Sequence, residues 1–305
     1  MSTQRAVQFA AIVAFIYGAA SNTARADIEL PDWTTVTFSG ASSLSEHLYY
    51  PLDPGTFSVY EGEIENGVVE RIETFVTFET KTILGVETRV IRDKTFKGGL
   101  LVEVALDWYA QSTEGTVWYF GEYVENFHYN QRGELVSTDN LGSWTADGVV
   151  FLPGAIMLAD PEKGDEYYQE FAPGVAFDFA IVTGLSGVVR TPAGSFDKVL
   201  GTSEGNLFDG PNIAENKYYA PDVGLILIEV LDDNGRPEFA IPLISQTVVS
   251  CLGDIDHDRS VSASDLGALL GAWGEDDFFA DLDGSGEVDA KDLAIVLANW
   301  GQCSP

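Results

Sequence analysis

Twelve residues beginning at Asp254 recur 27 positions later, beginning at Asp281. The first stretch is Asp254-Ile255-Asp256-His257-Asp258-Arg259-Ser260-Val261-Ser262-Ala263-Ser264-Asp265. The second is Asp281-Leu282-Asp283-Gly284-Ser285-Gly286-Glu287-Val288-Asp289-Ala290-Lys291-Asp292. Positions 1, 3, 5, 9 and 12 carry a side-chain oxygen in both copies. Alternate residues of a tightly wound loop point inward, and calcium takes about six to eight oxygens, so this spacing predicts one ion per loop. The carbonyls of Ser260 and Glu287 at position 7 would complete the two shells. Asp254, Asp256, Asp258 and Asp265 would repel one another without a cation. Folding of this end is therefore expected to depend on metal.

Each loop runs into an apolar stripe with helical spacing. Leu266, Leu269, Leu270 and Trp273 follow the first, and Leu293, Val296, Leu297 and Trp300 the second. Gly274 and Gly301 stand where helices commonly end. The chain before Cys251 has a different texture. Runs such as Thr35-Val36-Thr37-Phe38, Phe75-Val76-Thr77-Phe78 and Leu100-Leu101-Val102-Glu103-Val104 are rich in β-branched and aromatic residues. Turn signals break them at Glu65-Asn66-Gly67, Lys97-Gly98-Gly99, Thr113-Glu114-Gly115, Arg132-Gly133 and Asp233-Asn234-Gly235. The expected organisation is a mainly β protein: a large curved antiparallel sheet or open half-barrel over 27–250, then a small all-α, EF-hand-like module over 251–305.

At the duplicated loops the sequence resembles a type I dockerin, the calcium-binding module that attaches bacterial cell-surface enzymes to cohesin-bearing scaffolds. The resemblance covers 254–301 and rests on Asp at position 12 of both loops with one exiting helix per loop. It implies that Asp254, Asp256, Asp258, Ser262 and Asp265 ligate one ion, and Asp281, Asp283, Ser285, Asp289 and Asp292 the other. Arg259 replaces the glycine usual at position 6, and Ala263-Ser264 and Ala290-Lys291 stand where the family often has Ser-Thr. Cys251 and Cys303, the chain's two cysteines, bracket the repeat, and pseudo-symmetric pairing of its halves would join them in a disulfide.

The body resembles a family of bacterial exported β domains. The residues that carry this are Asp107-Trp108-Tyr109-Ala110-Gln111, Gly115-Thr116-Val117-Trp118-Tyr119-Phe120-Gly121-Glu122 and Lys217-Tyr218-Tyr219-Ala220-Pro221. The resemblance implies a curved sheet akin to half-barrel lipoprotein carriers and brings no chemistry with it. It departs at Asp222, where the family tends to have Gly. Asp107 and Glu122 are the first candidates for a glycosidase pair, which needs two carboxyls about 5–10 Å apart in a cleft. Trp108, Trp118 and Trp144 fit a packed core or a sugar-stacking surface. His47 and His128 fit isolated hydrogen-bonded histidines.

Sixteen basic against 48 acidic residues give a formal charge of −32, which excludes the Lys/Arg footprint of a nucleic-acid binder. Arg5, the apolar run 6–20 and Ala24-Arg25-Ala26 compose a secretory leader, with cleavage expected before Asp27. The expected product is secreted or periplasmic, with no membrane span after cleavage. Two functions fit. One is a modular secreted protein whose attachment module, holding two calcium ions, carries a non-catalytic β domain. Its partners would be a cohesin-like or other extracellular protein, and a carbohydrate or hydrophobic ligand on the sheet. The alternative is an extracellular glycoside hydrolase of polysaccharide breakdown borne on a dockerin. A bare stabilising cap is the third reading of the repeat.

Overall fold

A computed structural model describes residues 28, 32–185, 187–209, 213–249, 251–256, 258–275, 277, 279–283 and 285–303. The leader read at 1–26 and His257 lie outside the described residues. Two compact units are present. One comprises the described residues through Asp53 together with Ser58–Gln246; the other comprises Pro54–Phe57 and the residues from Thr247 onward. A contiguous division after Ser250 therefore differs from the structure at Pro54–Phe57 and by four residues at the junction.

The first unit is built from strands. In chain order they are β1 (Thr56–Glu63), β2 (Val69–Ile83), β3 (Val86–Lys97), β4 (Leu100–Gln111), β5 (Val117–Tyr129), β6 (Leu135–Asp139), β7 (Trp144–Thr145), β8 (Leu152–Met157) and β9 (Glu166–Tyr168). There follow β10 (Glu170–Phe171), β11 (Asp178–Leu185), β12 (Val189–Thr191), β13 (Gly194–Phe196), β14 (Leu200–Asn206), β15 (Glu215–Ala220), β16 (Gly224–Leu231) and β17 (Pro237–Val248). Fifteen of them form one sheet in the order β10-β8-β5-β4-β3-β2-β1-β17-β16-β15-β14-β11-β9, with β6 and β7 also paired to β5. Its two ends, β9 and β10, are separated in sequence by Gln169 alone, so the sheet curls until it is nearly closed into a barrel.

Turn chemistry sets the register. Gly98 and Gly99 join β3 to β4 with φ of +58° and +82°, the pair of left-handed residues that a tight hairpin demands. Gly121 has φ +119°, and a Cβ there would lie 2.4 Å from the Trp144 carbonyl oxygen, so only glycine lets β7 approach β5. The ladder of β4 and β5 slips where Asp107 to Tyr109 on β4 faces Glu122 to Tyr119 on β5, a bulge that places the extra residue on β5. Trp108, Tyr109, Trp118, Tyr119, Phe120, Trp144 and Tyr219 are buried together in the main core. A second cluster, centred on Ile226, Ile228, Ile241 and Leu243, packs under β16 and β17. The three tryptophans are thus core residues. Asp222 adopts φ +60°, a left-handed turn that explains why glycine is favoured at that position.

The second unit contains β18 (Ser260–Val261), α1 (Ala263–Gly271), α2 (Ala290–Ala298) and β19 (Gly301–Gln302). Both helices begin with a capping box: Ser262 with Asp265, and Asp289 with Asp292. Val261, Leu269, Val288 and Val296 form the core with Ala280, and the first pair maps onto the second at the 27-residue offset. The apolar stripe read along each helix divides in two. Leu269 and Val296 are fully buried, whereas Leu270, Trp273, Leu297 and Trp300 stay half-exposed at equivalent positions of the two halves. The Cys251–Cys303 disulfide is formed. Among the described residues no helix is long and apolar enough to cross a membrane.

Candidate functional site

Helix capping assembles the two acidic loops. In the first, Asp265 at position 12 is fully buried; its Oδ1 accepts from the amides of Ile255 and Asp256 at 2.7 and 3.1 Å, and its Oδ2 from Ser262 at 2.7 Å. Asp292 repeats this geometry, with Leu282 and Asp283 at 2.7 and 3.0 Å and Asp289 at 2.7 Å. The residue that starts the helix therefore also ties down the head of its loop. At position 1, Asp254 Oδ2 accepts from the Arg259 amide at 3.0 Å, and Asp281 Oδ2 accepts from Gly286 at 3.0 Å.

These bonds bring three carboxylates together in each loop. One oxygen from each of Asp254, Asp256 and Asp265 lies within 4.8 Å of the others, and the same holds for Asp281, Asp283 and Asp292. Among the described residues these carboxylate clusters include neither Asp258 at position 5 of the first loop nor Asp289 at position 9 of the second. Ser262 and Asp289 serve as helix caps, accepting from the amides of Ser264 and Lys291. Asp258 donates its amide to Asp256 Oδ1 at 3.2 Å, and the Ser285 hydroxyl donates to the Glu287 carbonyl at 3.1 Å. Ser260 pairs with Gln302 in the β18–β19 ribbon.

The donor set suits a hard divalent cation. Burial pushes the Asp254 carboxyl above its usual range, and the nearby charges of Asp265 and Asp258 push the same way. Its Oδ1 is buried without a hydrogen-bond partner, the state of an atom built to meet an ion. In the second loop Lys291 Nζ lies 3.3 Å from Asp283 Oδ2 and partly offsets the negative charge. A bound calcium ion would supply a structural cross-link between loop head and helix start; Asp254, Asp256 and Asp265, and Asp281, Asp283 and Asp292, would hold the two ions.

The first unit carries a second set of acids, in a different setting. Asp107 and Glu122 stand directly opposite each other on β4 and β5, each 1% exposed. The Tyr119 hydroxyl donates to Asp107 Oδ1, and Tyr109 stacks on Tyr119 at 4.6 Å between ring centroids. Both Glu122 oxygens are buried with no hydrogen-bond partner. Burial raises the pKa of Asp107, Glu122 and Glu170 well above the carboxylate range, and repulsion adds to it: from Asp93 and Glu103 on Asp107, from Glu170 and Asp107 on Glu122, and from Asp178 and Asp107 on Glu170. Burial also lifts Asp93 to about 7, Glu103 to about 8, Asp178 to about 6 and Glu215 to about 7. Lys217 meets Glu204 at 2.7 Å and Glu215 at 3.0 Å.

The Asp107–Glu122 pair therefore exists as a pair, but sealed among tyrosines and Trp144 rather than opened to a sugar chain. Stacking is blocked as well, because Lys81 Nζ sits 3.2 Å from the centroid of the Trp108 ring. A shallow depression of about 400 Å³ lies here, lined by Lys81, Leu106, Trp108, Glu122, Tyr123 and Trp144 among others, yet Glu122 itself is only 1% exposed. His47 is buried, with Nε2 at 2.8 Å from the Leu158 carbonyl, and exposed His128 pairs with Asp139 at 2.7 Å. The interior partners Asp93, Glu170, Asp178, Glu204 and Lys217 escaped the sequence reading. The available signal was parity: Asp107 shares a strand face with Tyr109, and Lys217 with Tyr219.

No known protein-family profile matches this chain. No curated protein matches it either. Two solved structures are similar. One is a Bacteroides fragilis protein described as exported and as having a YmcC-like fold, at 12% identity over 66% of this chain and 99% of that one, with a TM-score of 0.40. The other is a Parabacteroides distasonis protein described as a lipoprotein, at 14% identity over the same shares, with a TM-score of 0.33.

Proposed function

We propose that this chain is an exported modular protein whose second unit is a calcium-stabilised, dockerin-like attachment module carrying the β unit. One observation carries the reading: the three-carboxylate cluster occurs twice, each copy closed by the position-12 aspartate that also caps its own helix. The half-exposed Leu270 and Trp273, matched by Leu297 and Trp300, offer an extracellular protein partner the same apolar patch from each half. A disulfide belongs to an oxidising compartment, which supports export. The β unit is the cargo; a carbohydrate or hydrophobic ligand would bind its surface. The glycoside-hydrolase alternative draws no support from Asp107 and Glu122, since both are sealed from solvent.

The test is capture of extracellular proteins from the native culture medium on immobilised full-length chain. Binding should require calcium, disappear with chelator, and weaken strongly in a Trp273→Ser/Trp300→Ser chain that still takes up calcium. Capture that ignores both calcium and the tryptophans would overturn the attachment role.

A further inference from the structure

The two halves of the second unit share the hydrogen bonds at loop positions 1, 3 and 12, and differ in the residue at the sixth loop position. Each loop is braced by the residues that follow the other half's helix. Val288 exchanges backbone hydrogen bonds with Gly274 and Glu275 at 2.9 Å, and Val261 and Ser260 pair with Gly301 and Gln302. At position 6 the second loop has Gly286 with φ +86°, and the first has Arg259 with φ +70°. A residue with a Cβ is strained in that left-handed turn and glycine is not. Yet the turn is required, because the position-6 amide is the donor that holds the position-1 carboxylate at 3.0 Å in both loops.

The strained half is also the covalently closed one. The Cys303 amide donates to the Arg259 carbonyl at 3.1 Å, so this cysteine grips the residue in the unfavourable turn. Its sulfur lies 3.7 Å from Asp254 Oδ2. The other end of the bond, Cys251, accepts from the Asp254 amide at 3.1 Å. One disulfide thus holds both the position-1 ligand and the position-6 turn of a single loop. At the equivalent places in the other half the sequence has Phe278 and Asp276, neither of which carries a thiol. In the clamped loop Asp254 is 1% exposed with its Oδ1 unpartnered, a second sign that the site is held ready for an ion.

We infer that the Cys251–Cys303 disulfide is a positioning clamp specific to the first calcium loop, compensating for Arg259 so that the affinity of that loop depends on the oxidation state of the cysteines while the second loop's does not. This rests on the calcium reading above. Opening the clamp needs a dithiol reductant, which delivers two electrons and two protons to the S–S bond, yields two thiols and leaves as its own cyclic disulfide.

The experiment is calcium titration of full-length protein carrying one intact loop at a time. Asp281→Ala/Asp283→Ala reports the first loop, and Asp254→Ala/Asp256→Ala the second. Adding Cys251→Ser/Cys303→Ser, or reducing the bond with a dithiol, should weaken the first loop by roughly tenfold or more and leave the second within about twofold. Arg259→Gly in the cysteine-free chain should recover much of the lost first-loop affinity, an effect general destabilisation would not produce. Equal weakening of both loops, or of neither, overturns the clamp. Absence of calcium uptake by the oxidised wild-type chain overturns the calcium reading itself and the clamp with it.

Discussion

The molecule solves the burial of carboxylates in two opposite ways. In the second unit, Asp265 and Asp292 are fully buried, yet each accepts three backbone amides, and their neighbours converge where an ion can sit. In the first unit, Glu122 is almost as buried but receives no hydrogen bond, because a strand's own amides are already committed to the sheet. Loops ahead of helices have amides to spare; ladders do not. A buried carboxylate is therefore given backbone donors in one setting, and in the other Glu122 is pushed towards its neutral acid.

The sharpest way to break this contrast is at the interior cation. Lys217→Met would strand Glu204 and Glu215, and a loss of about 3–5 kcal/mol is expected in denaturant unfolding of the first unit. A loss under about 1 kcal/mol would mean the pair is not sealed. The next effect is on pH. The interior acids have folded pKa values above their unfolded ones, so the unfolded chain binds fewer protons between the two. Their stabilisation is complete below about pH 4 and is lost as pH rises through about 6 for Asp178, 7 for Asp93 and Glu215, and 8 for Glu103. The urea midpoint of the first unit should therefore fall between about pH 5 and about pH 8.5. A midpoint that rises over this range would place the acids in the ionised state.

Much of this was legible in the residues. Glycine pairs and asparagine-glycine turns punctuate the strands, and the bulky β-branched runs between them could only be a sheet. The loops were legible because oxygen at fixed spacing has few other uses. Positions 5 and 9 were harder, since Ser262 and Asp289 satisfy a calcium pattern and a helix-capping pattern with the same atoms. Parity groups the interior acids with their aromatic neighbours but does not say which face is inside. A charged residue on a strand alternates with apolar ones whichever way it faces, and a bulge such as that on β5 between Tyr119 and Glu122 resets the parity locally. Curvature decides which face is inside, and curvature is a property of the whole sheet.

Smaller effects refine the comparison. Asp292→Ala removes three amide partners and half of a capping box, and should cost the second unit about 2–3 kcal/mol with loss of one calcium ion. Thermal unfolding with calcium titration checks it. Glu122→Gln removes an ionisable group that has no partner to lose. Because burial raises its folded pKa, folding near neutral pH must protonate Glu122, so the substitution should stabilise the first unit there, change little near about pH 4 and flatten the decline described above.

The most direct test counts ions and asks which acids hold them. Calorimetric titration of the oxidised full-length chain should report two calcium ions, and an Asp256→Ala/Asp283→Ala chain should take up none. A flat wild-type titration at about millimolar calcium, or a stoichiometry unchanged by those two substitutions, would contradict the division between loop acids and sheet acids.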